Sequence, residues 1–135
     1  MKEDKFDQIA YRYKVAIAAK YRAIRPDDIK SIPTGKCWVS RKFDGELWFA
    51  ELTKDQVSIF ARNGRKLKDG KIPDYLQKLS IDPYKTLILA GELYSPSNTG
   101  RERVGNVSSA ISKAKWDSLS FVIFDVVEVD GKIPP

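Results

Sequence analysis

No histidine occurs in this 135-residue chain, and cysteine occurs once, at Cys37. The first absence removes imidazole general-base catalysis, Ser-His triads and histidine metal sites. The second removes any intrachain disulfide and any cysteine zinc cluster, and leaves Cys37 to be read as a small core residue. No apolar run approaches the ~18 residues of a membrane span, and the N-terminal MKEDKFDQ does not have the form of a signal peptide. The expectation is a protein of the cytoplasm, or of the nucleus in a eukaryote, with no membrane partner. The phosphate-cradling pattern GxxxxGK[ST] is missing too. The glycines of GRERVG follow a serine-rich loop rather than a strand, so they do not form a dinucleotide-binding turn. Chemistry is left to Lys, Arg, Asp, Glu, Ser and Tyr.

What is present suits one domain with a real core: 42% apolar residues, 31% charged, and a net charge of +6. A modest basic excess fits a phosphate-bearing partner, though many proteins without one share it. Residues 5–24, KFDQIAYRYKVAIAAKYRAI, repeat apolar positions at helical spacing, and Arg25-Pro26 closes that helix. RPDDIKSIPTGK reads as a connector with one short helical turn. From residue 36 the period changes to that of strands. Trp38, then Trp48 and Ala50, then Val57, Ile59 and Ala61 predict a three-strand antiparallel unit over 37–62, with Asp44-Gly45 as a hairpin turn. RNGRKLKDGK (62–71) reads as a polar loop, and IPDYLQKL (72–79) as a short helix with Pro73 near its start. TLILAGEL (86–93) and LSFVIFDVVEV (119–129) read as strands buried on both faces. YSPSNTGRERVGN (94–106) reads as a loop, and 107–115 as a helix. No internal repeat appears, and the mixture predicts an α+β fold.

Three polar residues interrupt those strands: Lys42 at the end of the first, Glu92 in LILAGEL and Asp125 in FVIFDVVEV. Ionised groups in such places cost several kcal/mol unless they are paired or face a cleft. Each alone reads as well as a strand-end group reaching water. Together, and with Arg62 capping IFARNG, they suggest one polar cleft lined by strand ends. Cations and carboxylates without imidazole suit the handling of phosphate, the cations neutralising its oxygens and the carboxylates holding a magnesium ion or a ribose. Lys42 can also be a nucleophile, provided that desolvation or neighbouring cations such as Arg41 and Arg62 activate its amine. The derived chemistry is lysine attack on a phosphoryl group.

KFDG, Lys42 to Gly45, resembles the KxDG motif of covalent nucleotidyltransferases: ATP-dependent DNA ligases, RNA ligases and capping enzymes. IFARNG with Arg62, LAGELY with Glu92, and FVIFDVVEVDGK with Phe124 are similar to the family's next three motifs, in the family's order. The wording ARNGRKL and FDVVEVDGK is closest to ATP-dependent DNA ligases. The resemblance covers residues 37–132 and implies an α+β, ATP-grasp-like nucleotidyltransferase fold, with antiparallel sheets and flanking helices. It implies that Lys42 attacks the ATP α-phosphate, releases pyrophosphate and carries AMP, which then passes to a 5′-phosphate for nick sealing in replication or repair. Asp44 and Gly45 would shape the turn that presents Lys42, and backbone groups around Arg41 would read the base. Arg62 would hold phosphate or ribose, Glu92 the ribose or a metal, and Phe124 would stack on adenine. The implied cofactors are ATP and Mg2+, and the implied partner of what would be a monomer is a nicked DNA, or RNA, duplex. RNGRKLKDGK and SNTGRERVGN are candidate contacts to its backbone, or simply solvated loops.

Two departures stand out. Leu47 occupies the position, five residues after the lysine, where the family often carries arginine. The family's later metal-binding Glu motif and final KxK motif do not occur. Residues 1–135 therefore read as a partial, truncated adenylation domain, with a helix and connector over 1–35 and a nucleotide-binding core over 36–135. An RNA ligase and a non-catalytic nucleotide- or nucleic-acid-binding remnant are the alternative readings.

Overall fold

The computed structural model describes residues 4–96 and 104–135. The alternation in ELWFAELT builds β1 (Glu46–Thr53), which sends Trp48, Ala50 and Leu52 to one side and Phe49 to the other. A turn closed by Thr53 N–H donating to the Gln56 carbonyl at 2.9 Å leads into β2 (Val57–Phe60). Asn63 and Gly64 then both take positive φ, 68° and 69°. Asn-Gly meets that demand, and the tight turn returns the chain as the two-residue β3 (Lys66–Leu67). β4 (Thr86–Tyr94) pairs on the other side of β1, and β5 (Ser120–Val129) pairs with β4. The result is an open antiparallel sheet in the order β3-β2-β1-β4-β5.

Helices cover both faces, so the α+β expectation holds. α1 (Lys5–Lys20) lays Ile9, Ala10 and Tyr13 on Phe49, Phe60, Ile88, Ala90 and Val127. α2 (Lys71–Gln77) and α3 (Val104–Ser112) lay Ile72, Leu76, Val107 and Ala110 on the opposite face, around Trp48. Each of these large side chains contributes ~1.5–3 kcal/mol by leaving water. Three links hold α1 across the sheet: Lys5 to Glu51 at 2.6 Å, Arg12 to Glu128, and the Tyr13 hydroxyl donating to Asp125 Oδ2 at 2.8 Å. No helix among the described residues is long and apolar enough to cross a membrane.

Several expectations need correction. The strand predicted from residue 37 does not form, and Asp44-Gly45 is a bend entering β1 rather than a hairpin turn. Both edges of β1 are occupied, by β2 and β4, so the 37–42 run cannot pair with β1 as the expected three-strand unit required. Its Trp38, Val39 and Cys37 are exposed instead of lying in the core. The strand predicted to be buried over 119–129 is the sheet's edge, and Ile123, Phe124 and Val126 are 40–55% exposed. α1 stops at Lys20 instead of Ile24. After Ile17 no residue up to Lys42 is even half-buried, and a helix with no face to bury has little to sustain it. Residues 26–31 form a short 3₁₀ turn, as the connector predicted, and β4 is buried as expected. Within the predicted loop over 94–106, residues 97–103 lie outside the described residues, and α3 already begins at Val104.

Candidate functional site

Lys42 sits on an irregular segment just before β1, held to the end of β4 by two contacts. The Phe43 ring lies 4.6 Å from that of Tyr94, and the Arg41 guanidinium lies over Phe43, 4.7 Å from the ring centroid. Two residues on, the Gly45 N–H donates to Glu92 Oε1 at 3.1 Å. Glycine is required here by closeness. A Cβ at Gly45 would overlap the Leu93 carbonyl oxygen and come within 2.9 Å of Tyr94 Cβ. Gly45→Ala is therefore expected to destabilise the fold by ~2–5 kcal/mol, from overpacking and from the lost bond to a carboxylate. A urea titration measures it, and an unchanged midpoint would show that the segment yields without cost.

Glu92 is half-buried at a point where β4 faces Leu47 of β1. Burial pushes its carboxyl up from the usual value, the nearby carboxylates of Asp44 and Glu46 push the same way, and the Gly45 N–H and the Lys42 charge pull back without cancelling the rise. Lys42, Asp44, Gly45 and Glu92 are thus brought together electrostatically, while the Lys42 side chain itself stays exposed. Glu46 points to the opposite face, where Arg65 at 2.7 Å, the Trp48 indole N–H at 3.2 Å and the Ser108 hydroxyl at 3.0 Å secure it.

The other expected site residues stand against α1. Arg62 follows β2. The last β1–β2 pair is Phe49 with Phe60, so Arg62 lies past the end of that ladder, while Glu92 is on β4, which pairs along the other edge of β1. It lines a polar cavity of about 560 Å³ with Asp7, Gln8, Tyr11, Arg12 and Asn63. Its guanidinium is 5.9 Å from the Tyr11 ring, and the Asn63 N–H donates to Asp7 Oδ1 at 2.6 Å. Phe124 lies on β5, beside the irregularity between the Ala90 and Gly91 pairs. It lines a second groove, of about 530 Å³, shared with Tyr13, Ile17 and Lys20 of α1. Asp125 lines that same groove and accepts from Tyr13, whose hydroxyl burial, and then Asp125, make harder to ionise.

Phe43, Tyr94 and Glu46 are the site-shaping residues that sequence reasoning missed. For Glu46 a signal existed, since strand alternation sets it beside Trp48 and Ala50 rather than toward Glu92. Among the described residues no cluster of three or more His, Cys, Asp or Glu is arranged to hold a metal. Magnesium is commonly bound by one or two carboxylates together with substrate phosphates, and Glu92 with Asp44 fits that donor set. The arrangement offers an accessible primary amine beside a half-buried carboxylate, at one end of a rigid sheet. No protein-family model matches the chain, and no curated protein matches it.

Proposed function

We propose that this chain is the nucleotide-binding part of an ATP-dependent polynucleotide ligase, acting on DNA, with Lys42 as the nucleophile. The observation that carries the reading is the hydrogen bond from Gly45 to Glu92. It joins the segment bearing the KFDG amine to the strand bearing the LAGELY carboxylate, two motifs 47 positions apart in the chain. In this reading the Lys42 amine, having lost a proton, attacks the α-phosphorus of ATP. A P–N bond forms, the bond to the pyrophosphate oxygen breaks, and Lys42 carries AMP. Glu92 and Asp44 would hold Mg2+, which when bound neutralises phosphate oxygens. Glu92 alternatively accepts from the ribose, Arg41 lies beside the nucleotide, Arg62 reaches phosphate or ribose from the α1 side, and Phe124 offers a ring to adenine. AMP then passes to the 5′-phosphate of a nick, and a 3′-hydroxyl displaces it.

Intact-mass measurement tests this. Incubated with ATP and Mg2+, the protein is expected to gain the mass of one AMP, with GTP and NAD giving none. No gain with any nucleotide would sink the catalytic reading, and ATP binding without an adduct would favour a non-catalytic nucleotide-binding role. Sealing of nicked DNA against nicked RNA then assigns the substrate.

A further inference from the structure

We infer that Tyr94, acting through Phe43, is the positioning residue for Lys42. The observation behind this is the burial record of the chain that leads to Lys42. From Ala18 to Lys42 every residue is exposed, and Phe43 is the first after Ile17 to be half-buried. An exposed stretch of chain therefore gives way to partly buried chain at Phe43, next to the amine. That side chain rests on Tyr94 at 4.6 Å with the rings inclined by 36°, a geometry in which aromatic pairs attract beyond simple burial. The Arg41 guanidinium also lies over the Phe43 ring, 4.7 Å from its centroid, so a cation immediately before Lys42 in the chain joins the stack.

The stack and the Gly45–Glu92 hydrogen bond bracket Lys42 and Asp44, and both end on the last three residues of β4. Either contact alone would leave a pivot. With both, the Lys42 segment is fixed to two side chains of β4, an interior strand of the sheet. Phe43 serves here as a foot, and Tyr94 as the surface it stands on. The ring of Tyr94 is what the stack needs, and its hydroxyl plays no part.

This inference rests on the nucleophilic role of Lys42 proposed above, and its test separates the two. The first measurement needs no nucleotide: hydrogen exchange at the Gly45 amide in the full chain. In Tyr94→Ala, and independently in Phe43→Ala, that amide is expected to exchange at least ~10-fold faster while the amides of β1 from Phe49 to Glu51 keep their protection. Tyr94→Phe is expected to retain the native rate. Unchanged exchange in both alanine variants overturns the proposal. So does loss of protection along β1, or a Tyr94→Phe variant that behaves like alanine.

The second measurement is AMP transfer to Lys42 at saturating ATP, where a fall of about 10–100-fold is expected for Tyr94→Ala with the ATP dissociation constant unchanged. An adduct forming at the native rate in Tyr94→Ala overturns the positioning role and leaves the ligase reading intact. An adduct absent from the native protein, with the exchange pattern as expected, overturns the ligase reading and leaves the positioning of the Lys42 segment standing.

Discussion

Lys42→Arg is expected to abolish the AMP adduct while moving the melting temperature by no more than about 2 °C. The small thermal effect follows from exposure: the Lys42 side chain is in water, and what holds its segment is Phe43 and Gly45 on either side. Arginine keeps the positive charge that pulls the Glu92 carboxyl back down, so the electrostatics of the pair survive. What is lost is the nucleophile, because a guanidinium stays protonated at any ordinary pH and offers no lone pair to phosphorus. Lys42→Ala should lose the adduct equally, but it also removes the charge beside Glu92 and leaves that carboxyl still harder to ionise. Arginine is therefore the cleaner variant. Intact-mass measurement with ATP and Mg2+, run beside a thermal melt, checks both halves. A persisting adduct in Lys42→Arg would move the nucleophile to one of the other lysines.

The sequence was most readable where one signal decides the outcome. TLILAGEL had to be buried on both faces, and as β4 it lies inside the sheet with β1 and β5 alongside. LSFVIFDVVEV is also mostly apolar but forms the edge. Composition reports how apolar a strand is, whereas its place in a sheet is fixed by which neighbours pair with it. The same limit explains Trp38 and Val39. Both are residue types favoured in strands, but the edges of β1 are taken by β2 and β4. Local reasoning placed Lys42 and Glu92 in one polar cluster, and the Lys42 charge does act on the Glu92 carboxyl. It also drew Asp125 into that cluster, where Tyr13 claims it instead. That pairing joins residues 112 positions apart on a helix and a strand, and no spacing rule anticipates it. The Phe43–Tyr94 stack was hidden for the same reason, since both are ordinary aromatic residues until the register of β1 on β4 brings them together.

Glu92→Gln is expected to have opposite effects on stability and on chemistry. Folding raises the Glu92 pKa above its ordinary 4.5, mainly because burial strips water from the carboxylate. A raised pKa means that the folded state prefers the protonated carboxyl. The stability this group contributes is complete below pH ~4 and fades as pH climbs through the raised folded value. Above that window the native protein carries a half-buried charge that glutamine never acquires. Glutamine can still accept from the Gly45 N–H through its own carbonyl oxygen. The variant's urea midpoint should therefore exceed the native one at pH 7 and converge with it below pH 4. Asp130 works in the opposite sense, because its carboxyl is held down by the N–H groups of Thr86 and Lys85 and its contribution fades as pH falls. It is present in both proteins and cancels in the difference between them. Adenylate formation should meanwhile drop by about 100-fold or more, since a neutral amide cannot supply the charge that a ribose hydroxyl or a magnesium ion would meet. A stability gain coupled to an activity loss at one residue is what a site that holds a charge for function rather than for folding should give. A midpoint that falls at pH 7 would instead make Glu92 a structural anchor, its charge held for the Gly45 hydrogen bond.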